Sequence, residues 1–187
     1  MQPQSEEKSR ASSLNAAGIR MTDAGKFAEA IAAFSEALVL GPGMAGVYFN
    51  RAEARRQTGD VEGARRDLLE ALKLAPDEPD FFHALGLLSY EEDDFPTASE
   101  LYLKAIGLRP NFAQAWNDLG VIHFRKSEYA EARGCFEKAT AIEPASSEAW
   151  FNLADTYDEL GLVPERAAAL EALRKADMLS AYRESGN

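Results

Sequence analysis

The sequence predicts an all-α solenoid of about five helix pairs, and three ladders of residues in phase with one another predict it. Pro42, Pro76, Pro110 and Pro144 stand 34 residues apart. Alanines recur at the same period, twelve residues before each proline at Ala30, Ala64, Ala98 and Ala132, and five before it at Ala37, Ala71, Ala105 and Ala139. A bulky rung of Phe34, Leu68, Tyr102 and Phe136 lies between the alanines. Upstream runs a small rung of Gly18, Ala52, Gly86, Gly120 and Ala154, four residues after Leu14, Tyr48, Phe82, Trp116 and Trp150. A fixed period in this range marks a repeat whose units bury their apolar faces only against their neighbours.

The phase of the ladders sets the boundaries. A flexible segment, 1–10, precedes units 11–44, 45–78, 79–112, 113–146 and 147–180, joined in one continuous domain. Proline lacks the N–H and disfavours helix in the residue before it, so each second helix must end ahead of the proline rung. Gly25, Gly59 and Gly161 stand where the first helix needs a left-handed C-terminal residue, with Asp93 and Ser127 replacing glycine in the other two turns. Pro96 and Pro164 suit the first turn of a second helix. Two helices approach closely only where side chains are small, so the small rung of the first helix is expected to face the alanines of the second. In the fifth unit Arg166, Leu173 and Met178 replace the alanine and proline marks. Its second helix should run on to about residue 183 as a cap.

These residues resemble the tetratricopeptide repeat over 11 to about 180. The fourth unit carries the marks most fully, with Trp116, Leu119, Gly120, Ala132, Phe136, Ala139 and Pro144, and with His123 where that family usually has tyrosine. The resemblance implies a right-handed superhelix whose first helices line a concave groove that holds a peptide or protein segment.

Composition narrows the partner. With 20 Lys plus Arg against 31 Asp plus Glu, the net charge is -11, and its field repels nucleic acid and anionic membrane surfaces. The single cysteine, Cys135, precludes a disulfide within the chain and suits a reducing, cytoplasmic setting. Residues 1–10 contain Glu6, Glu7, Lys8 and Arg10 without an apolar core, so no secretory signal is predicted, although a leader already removed would leave no trace. No apolar tract approaches the roughly 20 residues of a membrane span.

On the resemblance, inward-facing residues occupy the second, fifth, sixth, ninth, twelfth and thirteenth places of each unit. They include nine acids and two arginines, a net charge of -7 on this face. Asp23, Glu91, Asp158 and Glu159 fall in the last turn of their helices, against the helix dipole, which points to a basic or neutral partner. Asn50, Asp118 and Asn152 recur at the sixth place, where the amides of Asn50 and Asn152 can both donate to and accept from a peptide backbone and the Asp118 carboxylate can accept. Asn15 and Asn117 stand at the fifth place, with Glu53, Leu87, Val121 and Asp155 at the ninth. Phe49, His83, Tyr90, Phe124 and Phe151 add rings to the same face. The Asn50-Arg51-Ala52 stretch resembles co-chaperones of the family that clamp a C-terminal carboxylate, but Asn15, Ile19, Asp80 and Ala84 stand where that clamp needs other residues. Asp80 would repel a carboxylate in the groove. Arg51, Arg55, Arg56, Arg65 and Arg66 are expected in exposed pairs with Glu53, Glu62, Asp67 and Glu70, which contribute little.

No catalytic or metal constellation emerges. His83 and His123 occupy different places in their units, Cys135 has no base at a productive spacing, and the glycines mark turns and helix contacts. The predicted function is a protein-interaction scaffold without cofactor, metal or small-molecule substrate. Two alternatives stay open: a structural protein that self-assembles into a homo-oligomer through its end repeats, and, on the family resemblance, a chaperone for secreted substrates.

Overall fold

The computed structural model describes residues 3–185, which contain ten helices and no strand. They fall into two compact units, Met1–Asp93 and Asp94–Asn187. The division lies in the turn inside the third pair.

The first unit holds α1 (Pro3–Asp23), α2 (Phe27–Leu40), α3 (Ala45–Gln57), α4 (Val61–Leu74) and α5 (Pro79–Glu91). The second holds α6 (Phe95–Leu108), α7 (Ala113–Arg125), α8 (Tyr129–Ile142), α9 (Ser147–Glu159) and α10 (Val163–Ser185). Helices α3, α5, α7 and α9 begin at the residues that the proline period sets. Helix α1 starts at Pro3, so most of the segment expected to be flexible is helical. Ala11 is fully buried, and Arg10 reaches across to Glu36 of α2 at 2.6 Å, which gives this extension something to hold.

Helix ends follow the turn chemistry read from the sequence. Gly25, Gly59, Asp93, Ser127 and Gly161 all have positive φ, between 60° and 79°. In four of these turns the next residue donates its N–H back to the eleventh residue of the unit: Lys26 to Met21, Asp60 to Arg55, Glu128 to His123, and Leu162 to Tyr157, at 2.8–3.0 Å. This is the 6→1 bond of a Schellman ending, and it needs a left-handed residue just before the donor. At the other ends Asp60, Asp94 and Ser146 cap α4, α6 and α9 by accepting from Gly63, Thr97 and Ala149.

Within each unit the first helices meet one another, α1 with α3 and α3 with α5 in the first, α7 with α9 in the second. Each second helix packs against the first helix of its pair, α2 on α1 and α4 on α3 in the first unit, α8 on α7 and α10 on α9 in the second. Phe34 and Phe136 are essentially fully buried. A Cβ added to Gly18 would stand 2.4 Å from the Phe34 ring, and one added to Gly120 would stand 2.7 Å from the Phe136 ring. The small rung therefore faces the bulky rung of its own pair, where alanines were expected opposite. A flat ring lying against bare backbone fills the space between two helices better than two methyl groups could. In the second unit the tryptophan rung ties each first helix to the preceding linker: the Trp116 and Trp150 indoles donate to the Pro110 and Pro144 carbonyls, both at 2.9 Å.

Among the described residues, no helix is long and apolar enough to cross a membrane. The cap is as long as expected, with Ala169 and Ala176 buried. It leaves Met178 and Leu179 exposed.

Candidate functional site

The first unit presents Asn15 on α1, Phe49, Asn50 and Glu53 on α3, and His83, Leu87 and Tyr90 on α5. Asn50 donates through Nδ2 to Asn15 Oδ1 at 3.0 Å. Phe49 stacks on Phe81 with ring centres 5.3 Å apart, which ties α3 to α5. Arg56 meets Glu91 at 2.6 Å and Glu53 at 3.5 Å. Burial of this guanidinium disfavours its charge, but the two carboxylates outweigh that and hold its pKa above the ordinary arginine value. Glu91, which the sequence assigned to a partner because it opposes its helix dipole, therefore has an internal counter-ion. Asp158 likewise faces Arg166 at 3.3 Å.

The second unit repeats the amide contact and adds a cleft. Asn152 donates to Asn117 Oδ1 at 2.9 Å, and Asn117, only 6% exposed, donates in turn to Glu148 at 3.0 Å. Each of the two ladders joins a fifth-place asparagine to a sixth-place asparagine 35 residues on. Beside Asn152, the residues Val121, Phe124, Arg125, Phe136 and Asp155 enclose a cleft of about 80 Å³. Phe124 is braced edge-on by Tyr129 at 5.3 Å, and the Arg125 guanidinium lies over the Phe95 ring at 4.8 Å.

Of the residues singled out in the sequence, Val121, Phe124, Asn152 and Asp155 thus share one cleft with Asn117 next to it. Asp118 is half-buried on α7. Phe151 does not line the cleft and is 58% exposed. Two features are not legible in the sequence repeat. Phe136, a core member of the bulky rung, also lines the cleft. The fifth-place asparagines act as acceptors for the next unit's sixth place, a pairing that a search at spacing 35, one residue off the repeat, would have found.

The arginines of α3 correct a further expectation. Arg51 holds Asp67 through two bonds, 2.8 Å and 2.6 Å, and Arg55 adds a third at 2.8 Å. The Asp67 side chain is 4% exposed, and those of Arg51 and Arg55 are 15% and 20% exposed, so this is a half-buried network and not a weak surface pair. Arg65 pairs with Glu92, and Glu70 with Lys73. The other reactive candidates are engaged or shielded. His123 Nδ1 lies 2.6 Å from Glu128. Burial, with Glu131 adding to it, pushes the Cys135 thiol up to about 11 and keeps it protonated near neutrality, the reverse of an activated nucleophile.

The family described as Tetratricopeptide repeat matches residues 17–79 and 83–146, and a second family of the same description matches 135–168. Tetratricopeptide repeat protein 36 of Xenopus tropicalis is 42% identical over 66 residues, which is 35% of this chain and 33% of that protein. The match thus spans about a third of this relative's length. Among solved structures, pilF of Pseudomonas aeruginosa superposes with a TM-score of 0.84 at 16% identity, covering 91% of this chain and 78% of that one. YrrB, described as a TPR protein with an unusual peptide-binding site, gives 0.64 at 18% identity, covering 92% and 90%. Both likenesses concern the fold.

Proposed function

Because the chain belongs to the tetratricopeptide repeat family, we propose that it is a protein-interaction scaffold that holds an extended, basic or neutral peptide segment on the first-helix face of its second unit. Proteins of this family are in general interaction scaffolds and not enzymes, and no catalytic role is assigned to any residue here. The observation that carries the reading is the amide ladder of Asn152 and Asn117 beside the cleft of Val121, Phe124 and Phe136. Asn152 uses one of its two N–H donors on Asn117, which leaves it an N–H and a carbonyl for a peptide backbone. The cleft is large enough for one small apolar side chain. Asp118, Glu148 and Asp155 give the surrounding face its negative charge, which favours a basic segment in encounter and in choice of partner.

Panning a random peptide library on the intact chain tests this. The selected peptides should be enriched in Lys or Arg beside an aliphatic residue, and Asn152→Ala should weaken their binding by about tenfold, equivalent to about 1.4 kcal/mol. Selected peptides that bind an Asn152→Ala, Asp155→Ala double variant as well as they bind the unaltered chain would sink the proposal.

A further inference from the structure

We infer that the first unit carries a second interaction site: a basic cleft between α3 and α4 that takes an acidic segment of a protein partner. The inference stands apart from the peptide face of the second unit. At about 100° per residue, Tyr48, Arg51 and Arg55 share one side of α3, while Asn50 and Glu53 lie on roughly the opposite side.

The seventh place of a unit is apolar in the other pairs, with Ala17, Leu85, Leu119 and Leu153, and the eleventh carries no formal charge at neutral pH in Met21, Ser89 or Tyr157, with His123 in the fourth. In the second pair both are arginine. Arg51 and Arg55 share the one buried carboxylate of Asp67. The Arg55 Nε–H is buried without a hydrogen-bond acceptor and faces Asp60 Oδ2 only at 3.5 Å. The other bonded acceptors of this pair, the Ser35 hydroxyl for Arg51 at 3.0 Å and the Gly63 carbonyl for Arg55 at 3.1 Å, are neutral and leave its charge only partly balanced. Arg66 joins the same cleft from α4, is exposed, and has no carboxylate within 4 Å among the described residues. Lys73 completes the lining, paired with Glu70 in an exposed contact that an incoming carboxylate can displace. Four cations, Arg51, Arg55, Arg66 and Lys73, thus meet three carboxylates, Asp67, Glu70 and the more distant Asp60, a local excess of one positive charge in a chain whose net charge is -11.

The cleft encloses about 680 Å³, the size of a ligand site, and its remaining wall is apolar, with Tyr48, Leu72 and a Leu69 that is 47% exposed. This combination suits a segment that alternates carboxylate and aliphatic side chains. The carboxylates would meet the exposed Arg66 and Lys73, in the field of Arg51 and Arg55 behind them, and the aliphatic groups would cover Leu69. A long polyanion such as nucleic acid would be repelled by the rest of the chain. A short acidic segment feels mainly the charges within a Debye length of about 8 Å.

A fluorescein-labelled decapeptide of alternating glutamate and leucine, titrated into the intact chain and followed by anisotropy, tests the assignment. Arg66 and Lys73 are exposed, so an Arg66→Glu, Lys73→Glu variant should keep the helical circular dichroism of the parent. Expected are saturable binding that weakens with added salt, a loss of at least about tenfold in the double variant, and no change in Asn152→Ala. Absence of binding, equal binding to the double variant, or full displacement of the peptide by excess inorganic phosphate would each overturn it.

Discussion

Gly18 and Gly134 are both helical glycines, and their substitution by alanine is expected to have opposite effects. In an open helix Ala is favoured over Gly by about 0.5–1 kcal/mol. Nothing lies within 4 Å of a Cβ built on the exposed Gly134. Gly134→Ala should therefore raise the denaturant midpoint by an amount of that order. At Gly18 the new methyl would stand 2.4 Å from a Phe34 ring that is fully buried and has nowhere to go. Overpacking of this kind costs about 1–3 kcal/mol, which exceeds the propensity gain. Gly18→Ala should lower the midpoint, and an unchanged or raised value would show that the ring and the small rung are not in contact. Residue identity foretold that both sites tolerate glycine; only the packing around each tells them apart.

At the scale of the element, the turn that closes each first helix is one device used five times with different residues. Ser127 adopts φ of 60° where Gly25, Gly59 and Gly161 take 70°, 79° and 69°. The left-handed region crowds Cβ against the following carbonyl, a strain of about 1–2 kcal/mol in a non-glycine residue. Glycine also loses more freedom on folding, which offsets part of the relief. Ser127→Gly should stabilise the chain by up to about 1 kcal/mol, read as a higher midpoint in urea without a change of slope. A lower midpoint would mean that the serine side chain makes a contact worth more than the strain it carries. The same period that located these turns also located the helix starts, because capping and turn chemistry act over a few residues and are written in adjacent positions. Side-chain pairings between helices were harder to read. The Arg51–Asp67–Arg55 network joins residues 12 and 16 apart in sequence, and its burial depends on how deeply α3 sits against α4.

For the whole molecule, stability is approximately a sum of terms from each helix pair and each contact between neighbours, so an end element protects mainly what it touches. Helix α10 packs against α9 and covers it. A chain ending at residue 162 should lose amide protection first in α8 and α9, whose cluster of Ala132, Phe136 and Leu153 also draws on Trp150 and Tyr157. Protection in α1 to α3, whose cluster centres on Phe34 and Val47, should persist. Hydrogen exchange on the two chains reads this directly, and a uniform loss would contradict the additive picture.

By itself the sequence determined the family, the helix pairs, the turns between them and the alternation of small and bulky rungs, because a repeat of 34 residues states each local preference several times over. It did not determine the start of α1 at Pro3, ahead of the repeat. Tertiary structure alone decided that the small rung faces an aromatic ring and that Phe136 lines a cleft beside Asn152. It also decided that Glu91 and Asp158 find their counter-ions inside the chain and that Arg51 and Arg55 of α3 join the buried Asp67 in a charged network. The physical reason is range: helix propensity, caps and turns are settled by neighbours in sequence, whereas burial and charge pairing depend on distances between helices that no single stretch of sequence records.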